Sequence, residues 1–465
     1  MDLAKELIPR LQAQSHEVVY WVGLRGGGEE KFPEVIFHDH YGAWDGKPAQ
    51  ELVSEEFDPP SAGLIGRFHK TESLILTMMN KHFDWMGVDE RRHIYYQMLS
   101  YWSGVIKKFK PDAIIFSYIP HTVYDYLLFE LARSEGIKTV MFHNIAPIAG
   151  RMLVYKDFRE GSPALRAQVE KNKNRVFSAE DLSANVRKFY ETSVAEGQAA
   201  TPQYLKESHK RFSFFNRVFL KGRAVLASFK NGDFTERMLT RVIKSLKGNI
   251  REEYDRVSVK PDFSQKYIYA PLHYQPECTS SPLGDIFVDQ ILMIKTLSAS
   301  LPEGWIIYAK EHPTQWFKRG LNYGSVRYRG YYDKISRIKN VRLVPITTDS
   351  HLLTRSAKAV STISGVAGSE ALLRQKPVMI FGYPWYRDCP GVFKIEDVKT
   401  CREAFQEIEK GFLPDPQAVI NFFKAVDEVG ILAYIDGYNQ RVSGLSRQAS
   451  ADNLSRAILG ILESK

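Results

Sequence analysis

Cysteine is the scarcest informative residue: the three present, Cys278, Cys389 and Cys401, are too few and too scattered for a disulfide framework or a metal knuckle. A reducing, cytoplasmic setting is therefore expected, with no metal ligand set. No run approaches the ~18 apolar residues that a spanning helix needs. The N-terminus, Met1 to Pro9, lacks the basic-then-apolar order of a secretory signal. Neither paired zinc ligands nor an RNP-type aromatic motif is present, so nucleic acid is not an expected partner. Internal repeats at a solenoid period and low-complexity tracts are also missing.

What remains is an ordinary globular composition, 44% hydrophobic and 25% charged, in 465 residues. That length is too great for one ordinary core and accommodates two Rossmann-like halves. The net charge of +9 suits an anionic membrane surface or an anionic substrate.

The most specific stretch runs from Trp305 to Phe393. Ala359 to Ile363 reads as a short buried strand, and the chain turns at Ser364-Gly365 into a helix through Ala371 to Arg374. The first N–H groups of a helix have no intrahelical partner and carry the positive end of its dipole, so this turn is an anion site. Gly365 and Gly368 are expected to let a phosphate approach the backbone. Glu370, in the same helix, is placed to accept hydrogen bonds from ribose hydroxyls. The plain alternative is an N-cap serine followed by a surface acid. Upstream, Trp305 to Lys310 reads as a strand ending in Lys310-Glu-His312-Pro313. Ligands of open α/β sheets bind beyond the carboxyl ends of the strands, so the two motifs are expected to face one crevice.

Lys310 to Pro313, Ser361 to Val378 and Phe381 to Tyr386 resemble the C-terminal domain of bacterial capsule polysaccharide biosynthesis glycosyltransferases. More narrowly, they are similar to the Kdo transferases of capsule and lipopolysaccharide assembly. The resemblance covers about a quarter of the chain, roughly Tyr269 to Phe393. It implies an α/β GT-B fold, two Rossmann-like domains facing a cleft, and a CMP-activated donor sugar. It puts the nucleotide on His312, Pro313, Ser361, Ser364 and Glu370, with Lys310 and Gly365 beside them. It matches Gln275 and Glu277 to the glutamine and acid these transferases carry after the first strand of that domain, with Glu in place of the usual Asp. It also implies retention of configuration and a catalytic acid in the N-terminal domain.

The division that follows is an N-terminal acceptor domain over 1–260, with a helical basic insertion at about 157–260. A nucleotide-sugar domain spans 261–440, and the helix at 441–465 packs back on the first domain. Within the N-terminal half, Glu17 to Val22, Val35 to Phe37, Pro111 to Ser117 and Gly136 to Phe142 read as strands, and Glu72 to Lys108 as a helical stretch. If the helix that follows Ser117 starts by Thr122, His121 and Asp125, four apart, share one face of it. Asp125 is the first candidate for nucleophile or base, His121 its neighbour, and Glu277 and Asp39 are reserves. Asn144 and Arg151 are candidates for an acceptor hydroxyl or a carboxylate, and Lys310 and Arg151 for the carboxylate of the donor. The stretch Lys206 to Lys230 holds seven basic residues against Glu207, interleaved with phenylalanines, which suits peripheral contact with anionic lipid. Lys318, Arg319, Arg327 and Arg329 lie on a loop read as a surface for an anionic acceptor.

The resulting expectation is transfer of a 3-deoxy-2-ulosonic acid, Kdo first, from CMP to an oligosaccharide or lipid-linked surface glycan. Cationic and N–H groups stabilise the leaving phosphate, so no cofactor is expected. The alternatives are a CMP-nonulosonic acid donor (sialic, pseudaminic or legionaminic), a CDP-polyol phosphotransferase, and a non-catalytic glycan-binding subunit.

Overall fold

The computed structural model describes residues 3–195, 250–316 and 326–463. The basic stretch Lys206 to Lys230, with Lys318 and Arg319, lies outside them. The expected α/β architecture with Rossmann-like parallel strands is what the chain adopts.

The C-terminal lobe is built on six parallel strands: β6 (Tyr267–Pro271), β7 (Ile306–Lys310), β8 (Val341–Leu343), β9 (Ala359–Thr362), β10 (Val378–Ile380) and β11 (Val392–Lys394). β9 and β10 are buried along their whole length, which is why β10 reads as an unbroken apolar run and β9 carries only small hydroxyl residues beside Ala359 and Val360. The spatial order is β11-β10-β9-β6-β7-β8. The chain builds outward from β6 to β8, then returns to the other side of β6 with β9. The reversal leaves a topological switch point between the carboxyl ends of β6 and β9, where open α/β sheets take their ligands.

The N-terminal lobe is less regular. β1 (Tyr20–Gly23) and β2 (Ile36–Asp39) form a parallel pair, while β3 (Ala113–Phe116) pairs in parallel with β4 (Lys138–Asn144). β5 (Arg151–Tyr155) then runs antiparallel to β4, and β12 (Ile431–Leu432) antiparallel to β5. The helical stretch expected from Glu72 to Lys108 is broken. His69–Met78 and Val88–Phe109 are separate helices, with extended Gly87 as N-cap of the second. The second helix buries Tyr95, Leu99, Trp102 and Ile106 at three-to-four-residue spacing, so its aromatics are core. Of the stretch at 157–260, the described parts include helices Pro163–Asn172, Ala184–Val194 and Arg251–Val257.

The Arg447–Leu462 helix lies on the Ala4–Gln12 helix, with Arg10–Asp452 at 2.8 Å and Arg447–Glu6 at 2.5 Å over an apolar cluster that includes Leu11, Phe142 and Ile458. Among the described strands β1 pairs with β2 alone and β3 with β4 alone, and residues of both β1 and β3 line a cavity of about 1430 Å³. No helix among the described residues is long and apolar enough to cross a membrane.

Candidate active site

At the switch point, the turn after β9 meets the loop after β6. The Ser364 N–H and the Thr362 hydroxyl lie 3.4 and 3.1 Å from His273 Nε2. Gly365 is the N-cap of the Val366–Leu373 helix. A β-carbon there would come within 2.9 Å of His273 Nε2, so the glycine leaves room for the imidazole. A β-carbon at Gly368 would sit 2.2 Å from Tyr386 Oη. Gly368 therefore admits Tyr386, not a phosphate, contrary to the sequence expectation. Burial, with the charges of His312 and Arg327, pushes the His273 imidazole down to about 3, so the ring is neutral. His273 was missed in the sequence, although it stands two residues past β6 much as His312 stands two residues past β7.

Ser364 is buried, and its hydroxyl donates to Thr279 O at 2.6 Å, tying the two loops together. Ser361 is fully buried in β9 with its Oγ unpartnered. It stands in the strand three residues before Ser364. Half-buried His312 accepts the Thr314 N–H at Nδ1 (3.3 Å), which places its ring proton on Nε2. Pro313 is exposed beside it. Glu370 is half-buried; burial raises its carboxyl, while Arg374, 4.0 Å away, opposes that shift.

Lys310 is bonded within its own lobe. Its buried ammonium donates to Thr348 O at 2.5 Å and Ser350 Oγ at 2.8 Å, and burial lowers it to about 8. It braces the loop after β8. Gln275 is likewise consumed: Arg327 donates to its Oε1, and its Nε2 donates to Val288 O at 2.8 Å. Arg327, read from the sequence as a surface residue, has no exposed side-chain area and pairs with Glu311 at 2.8 Å.

In the N-terminal lobe, half-buried Asp125 and His121 line the cavity at the carboxyl end of β3, together with His40, Lys81 and Tyr118. Asp125 accepts the Thr122 N–H at 2.7 Å, as an acid in a first helical turn does. Burial outweighs that bond and raises its carboxyl to about 7. His121 Nδ1 lies 2.7 Å from Ile119 O, so the proton is on Nδ1 and Nε2 keeps its lone pair. Burial, then the charge of Lys81, lowers His121 to about 4. Across from this group lies the loop after β6. Exposed Glu277 and buried Cys278 interact electrostatically with Tyr118, and Cys278 with Lys81 and Asp125. The same loop thus bonds to the Ser364 turn on one side and lies within electrostatic reach of the Asp125 group on the other.

Three further candidates have partners within the fold. Asp39 caps the His40–Trp44 helix, accepting Gly42 N–H at 3.0 Å. Asn144 donates to Asp436 at 3.3 Å. Arg151 is buried and donates to Gly430 O at 2.9 Å, to Ser183 Oγ at 2.9 Å and to Asp427, so it fastens β5 to the chain before β12.

Among solved structures, the chain is similar to two from Thermosulfurimonas dismutans KpsC. For the beta Kdo 2,7 transferase, identity is 12% over 77% of this chain and 89% of that one, with a TM-score of 0.33. For the beta Kdo 2,4 transferase, identity is 14% over 68% and 78%, with a TM-score of 0.27. The UDP-GlcNAc 2-epimerase of Methanocaldococcus jannaschii gives 14% identity over 74% and 83%, with a TM-score of 0.25. No curated protein matches. Residues 284–412, which carry His312, Ser364 and Glu370, match the family model described as "Capsule polysaccharide biosynthesis protein", and through this segment the chain is similar to that family.

Proposed function

We propose that the protein is a GT-B capsule polysaccharide glycosyltransferase that moves a 3-deoxy-2-ulosonic acid, Kdo first, from CMP to a surface glycan. The observation that carries this reading is the family match over 284–412, the segment that brings His312 and Ser364 to the carboxyl edge of one parallel sheet. The donor's phosphate lies against the amino end of the Val366–Leu373 helix and the His312 Nε2–H, which stabilise charge as the sugar–phosphate bond breaks. Glu370 takes the ribose hydroxyls. The sugar projects toward the loop after β6 and the Asp125 group, where Asp125 acts as nucleophile or base. Acceptor glycan enters through the cavity between β1 and β3.

The test is binding and slow hydrolysis of CMP-Kdo against CMP-sialic acid, CMP-pseudaminic acid and CDP-glycerol, with His312→Ala as control. Selective turnover of CMP-Kdo is expected. Loss of one hydrogen bond to a charged phosphate should weaken CMP binding in His312→Ala by about 10–100-fold. Turnover of another CMP sugar would keep the class and change the sugar. No binding of any cytidine nucleotide would sink the transferase reading.

A further inference from the structure

Both cations that the sequence offered for the donor carboxylate are occupied elsewhere, Lys310 by the loop after β8 and Arg151 by Asp427. A 2-ulosonic acid carries its carboxylate on the anomeric carbon, next to the bond that breaks. The same carbon bears the phosphate, so the group that reads the carboxylate must stand where Asp125 and the donor's phosphate approach one carbon.

We propose that Lys81 is that group: it recognises the carboxylate of the donor sugar and selects ulosonates over sugars without one. This assignment rests on the CMP-ulosonate reading above and adds a specificity residue to it. Lys81 ends the short turn Met79–Lys81, anchored by fully buried Met79. Its ammonium stands 5.3 Å from the centre of the Trp44 ring, within cation–π range. Trp44 in turn stacks on His82 at 4.9 Å, and His82 is paired with Asp45 at 2.6 Å, so the platform under the lysine is itself held.

Position separates Lys81 from the other cations of the cavity. Among the described lining residues the remaining basic groups are Lys110 and Lys138. Lys138 opens β4, and Lys110 precedes β3, so both belong to the amino ends of these strands. Lys81 lines the carboxyl end with His121 and Asp125. Its field reaches His121 in its own lobe and Cys278 in the loop after β6, which spans the distance between the reacting acid and the Ser364 turn. A cation there has a second effect. An ionised Asp125 approaching an anomeric carbon that bears a carboxylate meets like-charge repulsion, and an ammonium beside both relieves it.

The experiment titrates wild type, Lys81→Met and Lys81→Arg with CMP and with CMP-Kdo. Methionine keeps an unbranched stem against Trp44 and removes only the charge. Loss of one charge-assisted contact should weaken CMP-Kdo by at least about tenfold in Lys81→Met, with CMP within about twofold of wild type and most of the affinity restored in Lys81→Arg. CMP serves as the check that the variant is folded, because a collapsed lobe arrangement would affect both ligands. Unchanged CMP-Kdo binding in Lys81→Met, or an equal loss for CMP and CMP-Kdo, overturns the assignment while leaving the transferase reading standing. Failure of wild type to bind CMP overturns both.

Discussion

Asp125→Asn should lower sugar transfer by about 10²–10⁴-fold while leaving CMP binding within about twofold of wild type. The carboxylate lines the cavity opposite the loop after β6, and His312 and Ser364, the groups proposed for the nucleotide, belong to the other lobe, so on that proposal the substitution removes chemistry and spares the donor's anchor. Asparagine keeps an oxygen that accepts the Thr122 N–H, so the helix start is preserved. The pH dependence adds a signature. Either role, nucleophile or base, needs the ionised acid. With burial holding the carboxyl at about 7, the rate should rise as pH increases through 7 and flatten above it. Stability runs the other way. The folded protein holds the Asp125 proton up to about pH 7, whereas an unfolded chain releases it near the ordinary carboxyl value. The stabilisation tied to that proton is complete below the unfolded value and is lost as pH rises through 7. Asp125→Asn, permanently neutral, should therefore gain in thermal midpoint over wild type at pH 8 and much less at pH 5. Rates measured from pH 5.5 to 8.5 in both proteins decide the point. A pH-independent wild-type rate, or full activity in Asp125→Asn, would remove Asp125 from the chemistry.

The parts of this site that could be read in the chain were those with local signatures. Buried parallel strands announce themselves as apolar runs, and a strand followed by Ser364-Gly365 and a helical pattern announces a strand-to-helix turn. β6, β7, β9 and β10 were legible for that reason, as was the crevice at their carboxyl ends. What could not be read is which atoms are left over once the turns have satisfied themselves. Ser361 is a polar residue in a strand, and only the packing on both faces of β9 buries it. Lys310, Gln275 and Arg151 each offered a polar group at a strand end, and in each case a carbonyl, hydroxyl or guanidinium from a distant segment claims it. Lys81 had no signal, since a lone lysine between two helices has no motif. The two-residue β12 was invisible because its pairing with β5 is a long-range event between segments almost 280 residues apart. Arg327 was misread because charge predicts exposure unless a buried partner is known.

That buried pair makes the last expectation. Arg327 donates from Nε to Glu311 Oε2 at 2.8 Å and from Nη2 to His273 O at 3.0 Å, and it also reaches Gln275 Oε1. Glu311 accepts the His312 N–H at 2.7 Å and the Tyr332 hydroxyl at 2.7 Å. One ion pair therefore fixes the loop after β6 against the loop after β7 and sets where His312 stands. Removing the cation alone leaves a carboxylate buried without its counter-charge, so Arg327→Met should cost about 3–5 kcal/mol of stability. At about 2–4 °C per kcal/mol for a domain of this size, the thermal midpoint of this lobe falls by roughly 6–20 °C. Arg327→Met with Glu311→Leu removes both charges, and most of that loss should return, because apolar replacement of a buried pair is often neutral. CMP affinity should not return with it, since the His312 N–H then has no Glu311 oxygen to hold it and the β6 loop has lost its tie. Thermal unfolding together with CMP titration of the single and double variants separates the two effects. A double variant that recovers both stability and CMP affinity would show that the pair holds only the fold, and that His312 is placed by the strand end itself.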